Sequence, residues 1–152
     1  MSERTFVMIK PDAFSRRLIG RIMTRYESKG LKLVGMKLQV MSRQLAEQHY
    51  AEHRDQPYYG DLVNFITSGP SVAMVWEGPN AVEIARAING ATNSVEAKPG
   101  TIRGDWGLTL PRNVVHASDS LDTAKREIDL FFDEANLLSY AMPDEGWLCV
   151  KM

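Results

Sequence analysis

Three histidines stand among 152 residues, and one of them occupies a position suited to covalent chemistry. His116 follows the short apolar run Asn113-Val-Val115 and precedes Ala117-Ser118-Asp119-Ser120 and an amphipathic segment. A side chain at a strand end stands in the open while its backbone stays anchored. Neutral imidazole is a strong nucleophile near pH 7. Its attack on a phosphoryl group gives a phosphoramidate whose phosphate passes on easily, which splits a transfer into two reversible steps. Such a histidine needs a partner to fix its tautomer, and Ser118, Asp119 and Glu127 lie within reach in sequence. Taken alone, a histidine here more often merely ends a strand.

The remaining chemistry points to anions. Lys10 ends the first apolar run, Arg86 borders an apolar helix face, and Arg103 sits in Lys98-Pro-Gly-Thr-Ile-Arg103-Gly-Asp105. A guanidinium beside glycine can lay its planar fork on phosphate oxygens. Each cation alone is more often a surface charge. Together they make an anion pocket in which Lys10, Arg86 and Arg103 neutralise a triphosphate, Thr92 or Thr101 adds a hydroxyl, and Mg²⁺ takes up the remaining charge. Tyr58 and Tyr59 follow Pro57 near a helix start, where one could stack on a base, although core packing is the default for either. His49 and His53 are spaced i, i+4, which permits metal ligation. Lacking a third ligand at suitable spacing, they read as solvated surface histidines.

Other classes fall away. No G-x-x-x-x-G-K-[ST] loop is present and no G-x-G-x-x-G follows a strand, so side chains must do any phosphate binding. The formal net charge of −1 argues against nucleic acid as the main ligand. The one cysteine, Cys149, reads as a small buried or half-buried hydrophobe in a reducing compartment. The apolar stretch 6–9 is too short for a signal-peptide core, and no apolar run approaches a membrane span. The expectation is a cytoplasmic protein forming a single domain over residues 1–152.

The elements that must position these residues follow from hydrophobic period. Residues 5–9 form a continuous β-rich run ending at Pro11, hence a strand buried on both faces. Leu18, Ile19, Ile22, Met23 and Tyr26 recur at helical spacing, and Gly30 sits where that helix stops. In 31–41, Val34, Met36, Leu38 and Val40 alternate with polar or small residues, which predicts a strand with one buried face. Ser42 caps a helix through Leu45 and His49, ended by Pro57, and a short helix over about 59–67 carries Leu62, Val63 and Ile66 on one side. Residues 71–76 read as a central strand, followed by a helix from Gly78-Pro79-Asn80 to Asn89-Gly90. Residues 91–112 have little period and read as a long functional loop. The run 113–115 is a short strand. Asp119 or Ser120 then caps a helix whose inner face carries Leu121, Ala124, Ile128, Phe131 and Phe132. Trp147, Leu148 and Val150 in the tail are available to pack. This order matches an α+β, ferredoxin-like βαββαβ sandwich, with an antiparallel four-stranded sheet and helices on one face.

Five strings carry a family resemblance: Arg4-Thr-Phe with Ile9-Lys-Pro-Asp12, Ser68-Gly-Pro70, Ala73-Met-Val-Trp-Glu-Gly78, Lys98-Pro-Gly-Thr-Ile-Arg-Gly-Asp105 and Asn113-Val-Val-His-Ala-Ser-Asp-Ser120. In order, over about residues 3–135, the chain resembles nucleoside diphosphate kinases. The resemblance implies a ping-pong reaction: a nucleoside triphosphate, usually ATP, phosphorylates His116, and a nucleoside diphosphate then takes the phosphate in the same site. It implies that Lys10 and Asn113 contact the sugar 3′-hydroxyl, with Lys10 also on phosphate, and that the Tyr50 hydroxyl lies near the transferred group. Arg86 and Thr92 bind the β-phosphate and Arg103 the γ-phosphate. Tyr58 stacks on the base with Leu110 opposite, and Leu62 belongs to the same nucleotide-binding set. Ser118 and Glu127 support the imidazole, and Mg²⁺ is reached from Asp119 through water. Stacking tolerates any base, which fits a broad nucleotide range. The resemblance also implies a homo-oligomer, with the long tail favouring a hexamer over a tetramer. Ala117 stands where many members have Gly, a change tolerated where φ is negative. The alternatives are a non-catalytic nucleotide or single-stranded nucleic-acid binding regulator on the same fold and, last, a histidine phosphocarrier.

Overall fold

The computed structural model describes residues 2–148. Among these, four strands form one antiparallel sheet in the order β2-β3-β1-β4. The elements are β1 (Ser2–Ile9), α1 (Pro11–Ser15), α2 (Ile19–Lys29), β2 (Lys32–Gln39), α3 (Arg43–His49), α4 (Tyr59–Ile66), β3 (Ser71–Pro79), α5 (Ala81–Asn89), α6 (Ile102–Trp106), β4 (Val115–Ala117), α7 (Leu121–Phe131) and α8 (Glu145–Leu148). The strand order and the β1-α2-β2-β3-α5-β4 sequence are the ferredoxin-like plan.

The two central strands are buried on both faces, as their unbroken apolar sequences require. Val7 and Ile9 of β1, with Val72, Met74 and Trp76 of β3, pack against Ile22 and Tyr26 of α2 and Ala81 and Ala85 of α5. Phe6 and Met8, with Ala73 and Val75, face Ala46 of α3, Val63 and Ile66 of α4, and Ile128 and Phe131 of α7. The expectation of helices on one face is therefore corrected. It holds for the two crossover helices α2 and α5, while α3, α4 and α7 cover the opposite face.

Local signals place most boundaries. Lys10 is extended (φ −80°, ψ 163°) just before Pro11, and Pro11 opens α1 at the position where its missing N–H costs nothing. Gly30 ends α2 in the left-handed region, with φ 105°. The Ser42 side chain caps α3 by accepting from Leu45 N–H, and of the two candidate caps for α7, Ser120 is the one that accepts, from Thr123 N–H.

Four readings change. The even positions along β2 do not form a buried face: Met36 and Leu38, with Val40 just past the end of the strand, are 53%, 62% and 62% exposed. Its register against β3 shifts between Leu33 and Gly35, and only Val34 of the alternating set reaches the core. The long loop contains α6, capped by Thr101, whose hydroxyl accepts from Gly104 N–H and donates to the Lys98 carbonyl. Leu121 at the start of α7 is exposed. The last strand spans 115–117, so His116 lies within it rather than beyond its end.

The tail runs along the outer edge of β2. Leu138 N–H donates to the Val34 carbonyl, the Tyr140 hydroxyl to the Leu33 carbonyl, and Lys32 to Glu145. Leu148 packs on Gly30, whereas Trp147 is exposed. Cys149 and Val150 lie outside the described residues.

Candidate active site

Backbone strain marks the centre of the site. Val114 has φ 76°, and Val115 N–H donates to the Asn113 carbonyl at 2.8 Å across it. This closes a three-residue γ-turn of the rare, strained hand. A β-branched residue held there costs about 1–3 kcal/mol and persists only where the surroundings fix it. They do so at every polar group. Val114 N–H donates to Asp12 Oδ2 at 3.2 Å, and the Val114 carbonyl accepts from Lys10 N–H at 2.9 Å. Arg103 donates to the carbonyls of Asn113, Val115 and Gly90 at 3.1, 2.6 and 2.9 Å. The turn thus aims Asn113 and His116 into one pocket.

Arg103 gives three of its five N–H donors to backbone, so the expectation that its fork lies open to phosphate needs amending. Its remaining Nη hydrogens are the ones available to an anion. The loop must pass closely to bring it here. A Cβ on Gly104 would stand 1.9 Å from the Lys98 carbonyl oxygen, which explains glycine after Arg103.

His116 pairs with Met8 across the β4–β1 ladder, and its side chain is 25% exposed. Its Nε2 lies 2.7 Å from Glu127 Oε2, and the Ser118 hydroxyl donates to Glu127 Oε1 at 2.6 Å. Burial opposes ionisation of Glu127. The hydrogen bond and charge of His116, with His49 and Ser118, outweigh it and hold the carboxyl below its ordinary value. An ionised Glu127 accepts Nε2–H and leaves Nδ1 with its lone pair free, the tautomer a nucleophile needs.

The pocket encloses about 240 Å³. It gathers His116, Lys10, Tyr50, Glu127, Arg86, Thr92, Arg103, Asn113 and Asp119. Lys10 Nζ donates to Asn113 Oδ1 at 2.7 Å, and Asn113 Nδ2 to the Thr92 carbonyl at 2.9 Å. Burial, with the charge of Arg103, lowers the Lys10 amine to about 8 against the opposing pull of Asp12. Arg86 Nη1 reaches the Ala117 carbonyl at 3.2 Å. Ala117 is not among the residues with positive φ, so its methyl brings no backbone strain. Burial, then Glu127, pushes the Tyr50 hydroxyl up, so it stays a proton donor. Asp119 is exposed, and hydrogen bonding from Thr123 holds its carboxyl below the usual range despite some burial.

Ser118 is fully buried behind the pocket. Tyr58, Leu62 and Leu110 do not line it. Tyr58 and Leu110 are exposed, and the Tyr58 hydroxyl lies 3.1 Å from His53 Nδ1. Thr101 is consumed by its cap, which leaves Thr92 as the pocket threonine.

His49 is the residue that sequence reasoning missed. It is buried, not a surface histidine, and its ring stands edge-on to His116 with centroids 4.9 Å apart. The helix ends at His49, and the turn after it carries His53 to the pocket rim, half-buried beside Tyr50 and Tyr58. Apolar Leu45 and Ala46 just before it were the available signal for an inward-facing position.

Comparisons with known proteins point to one family. The family described as nucleoside diphosphate kinase matches residues 3–137. Nucleoside diphosphate kinases of Staphylococcus aureus (strain MSSA476) and Staphylococcus haemolyticus (strain JCSC1435) are each 58% identical over 146 residues, covering 96% of this chain and 98% of the relative. The structure of a halophilic nucleoside diphosphate kinase from Halobacterium salinarum in complex with CDP superposes with a TM-score of 0.95 at 51% identity, covering 97% of this chain and 99% of that one. A nucleoside diphosphate kinase family protein from Babesia bovis gives 0.93 at 45% identity, covering 96% and 99%.

Proposed function

This chain belongs to the nucleoside diphosphate kinase family, and from that premise we propose that it moves the γ-phosphate of a nucleoside triphosphate, usually ATP, to a nucleoside diphosphate through His116. The observation that carries the proposal is the Nε2 contact of 2.7 Å to Glu127 Oε2, anchored in turn by Ser118. It leaves Nδ1 as the attacking atom.

In the first half-reaction Nδ1 attacks the γ-phosphorus. The Nδ1–P bond forms as the bridging P–O bond breaks, and its electron pair leaves on the diphosphate. The ring gains positive charge, which Glu127 offsets through Nε2–H. The second half-reaction is the reverse with a different diphosphate, so one set of fixed charges serves both. Lys10 and Asn113 hold the sugar hydroxyl, with Lys10 also on phosphate. Tyr50 donates near the transferred group, Arg86 and Thr92 hold the β-phosphate, and Arg103 the γ-phosphate through its free Nη hydrogens. Tyr58 stacks on the base at the pocket's rim, with Leu62 and Leu110. The CDP complex of the Halobacterium salinarum relative supports a nucleotide ligand.

The donor set fits Mg²⁺. Asp119 is an exposed, ionised carboxylate on the pocket wall, whereas both Glu127 oxygens are engaged. One carboxylate, acting through water, with substrate phosphates is the arrangement that ion takes. When bound it neutralises polyphosphate charge.

We further propose one domain over 1–152 and a homo-oligomer, with a hexamer favoured. The exposed Met36 and Leu38 of the edge strand β2, with Val40 just past its end, support association. Sedimentation equilibrium checks it, and a monomer at assay concentration would count against it. A cytoplasmic location is part of the same reading. It is supported by the lone cysteine in the sequence. Among the described residues no helix is long and apolar enough to cross a membrane.

Initial rates with ATP and GDP test the kinetic form. Parallel double-reciprocal lines, with ADP–ATP exchange in the absence of GDP, are expected. Intersecting lines and no exchange would favour direct transfer, and no turnover with tight nucleotide binding would favour a regulator. A second check uses pH. Lys10 is charged below about 8 and neutral above it. On this basis kcat/KM falls as pH rises through about 8, and bound phosphate shifts the kcat limb upward. Lys10→Arg should remove the limb, and an unchanged limb in that variant would assign it elsewhere.

A further inference from the structure

His49 is the buried group that the transfer chemistry leaves without a task. It is 3% exposed, yet among the described residues neither ring nitrogen has a hydrogen-bond partner, and such a group asks for an explanation. Its Nδ1 lies 3.4 Å from Glu127 Oε2, the oxygen that His116 Nε2 approaches to 2.7 Å. One ligand atom from each of the three residues lies within 4.8 Å of the other two. Burial, followed by the charge of His116, lowers His49 to about 3, with Glu127 opposing and Lys10 and Arg126 adding to the fall. An imidazole whose nitrogens are unpartnered keeps one ring-nitrogen lone pair available to a cation.

Two imidazoles and one carboxylate facing an open cavity form a donor set that zinc accepts, with a fourth position left for water. Zinc–ligand bonds of about 2.0–2.2 Å set neighbouring donors roughly 3.3 Å apart in a tetrahedron. Sub-ångström to ångström side-chain shifts bring these three atoms there. Magnesium prefers hard oxygens and is disfavoured by imidazole, so the two ions address different parts of one pocket.

We propose that His49, Glu127 and Nε2 of His116 form an inhibitory site for Zn²⁺, filled when nucleotide is absent. The ion takes the Nε2 lone pair and displaces the hydrogen bond to Glu127. Nε2 gives its proton to water and Nδ1 takes one from water, with no net proton change. The atom that attacks phosphorus then carries a hydrogen and has no lone pair to offer. This last consequence rests on attack through Nδ1, as proposed above; binding itself does not. The charges of Lys10 and Arg126 oppose the ion and keep the site weaker than a closed structural one.

Co²⁺ titrated into the nucleotide-free protein gives the binding test. Intense visible bands of a four-coordinate ion are expected at one equivalent, displaced by Zn²⁺ and lost in His49→Gln. In case that variant folds poorly, ¹⁵N-histidine spectra of the unaltered protein supply a second reading. Zn²⁺ should move the His49 and His116 nitrogens, with His53 as the control. Buffered free Zn²⁺ should block formation of labelled protein from γ-labelled ATP at the same occupancy. Weak octahedral bands, or ¹⁵N shifts confined to His53, would overturn the site and leave the transfer reading intact. Occupancy of the three residues with full labelling would overturn the inhibition and count against Nδ1 as the nucleophile.

Discussion

His116→Ala should keep its fold and lose phosphotransfer by at least about four orders of magnitude, the scale seen when a covalent nucleophile is removed. The backbone at this position is held by the β4–β1 ladder and not by the side chain. The ring is only partly buried and lies tilted against Phe6 and edge-on to His49, so truncation removes modest packing. The main structural cost falls on Glu127, which keeps its bond from Ser118 but loses Nε2–H. A buried carboxylate with one donor fewer has a higher pKa, and a stability loss of roughly 1–3 kcal/mol follows. Turnover of ATP with GDP and a thermal melt measure both quantities. A variant that melts normally and retains more than about a hundredth of the activity would contradict the assignment.

Arg103→Ala should lose both activity and stability. The guanidinium closes three backbone carbonyls, at Gly90, Asn113 and Val115. Two of these flank the strained Val114, whose φ of 76° survives only while its neighbours are pinned. Removing the side chain takes a donor from two buried carbonyls and the part-buried one of Gly90, and frees the turn, although Asn113 keeps its bond from Val115 N–H. At about 1–3 kcal/mol for each lost partner, partly relieved by water and by that remaining bond, the loss is roughly 3–5 kcal/mol. For a chain of this size that lowers Tm by about 6 °C or more. Relaxation of the turn would also displace Asn113 and His116, and a misplacement near 1 Å costs about a hundredfold in rate. Burial, opposed by Tyr26 and reinforced by Arg86, lowers Arg103 to about 10, so it is charged at working pH and Lys keeps the charge. Arg103→Lys should nonetheless fail to restore Tm, because an ammonium has no planar fork to span three carbonyls. Calorimetry of the two variants checks this. Equal stability of Arg103→Lys and the parent protein would show that the carbonyl contacts contribute little.

The parts of the fold that were legible in the sequence are those where local and global signals agree. β1 and β3 are unbroken apolar runs and sit centrally with both faces buried. Pro11, Gly30, Ser42 and Ser120 mark boundaries of the helices α1, α2, α3 and α7 through their own backbone or side-chain chemistry. β2 shows where periodicity misleads. Alternation gives the period of a strand but not which face is covered, and the shift at Leu33/Gly35 leaves Met36, Leu38 and Val40 outward.

The site was legible through motif order and not through local propensity. A β-branched Val114 at positive φ is what no propensity would place there, and it moved the final strand so that His116 lies inside it. Arg103 read as an open anion fork because sequence does not disclose how many of its donors the backbone takes. The i, i+4 spacing of His49 and His53 suggests an exposed pair, yet the helix stops at His49 and buries its ring.

The most direct test of the central claim is a single incubation of the protein and its His116→Ala variant with γ-labelled ATP and Mg²⁺, followed by GDP. The account expects label on the parent protein only, lost in acid and chased into GTP. Absence of label, or equal label on both proteins, would contradict a phosphorylated His116 and leave a nucleotide-binding protein without this transfer.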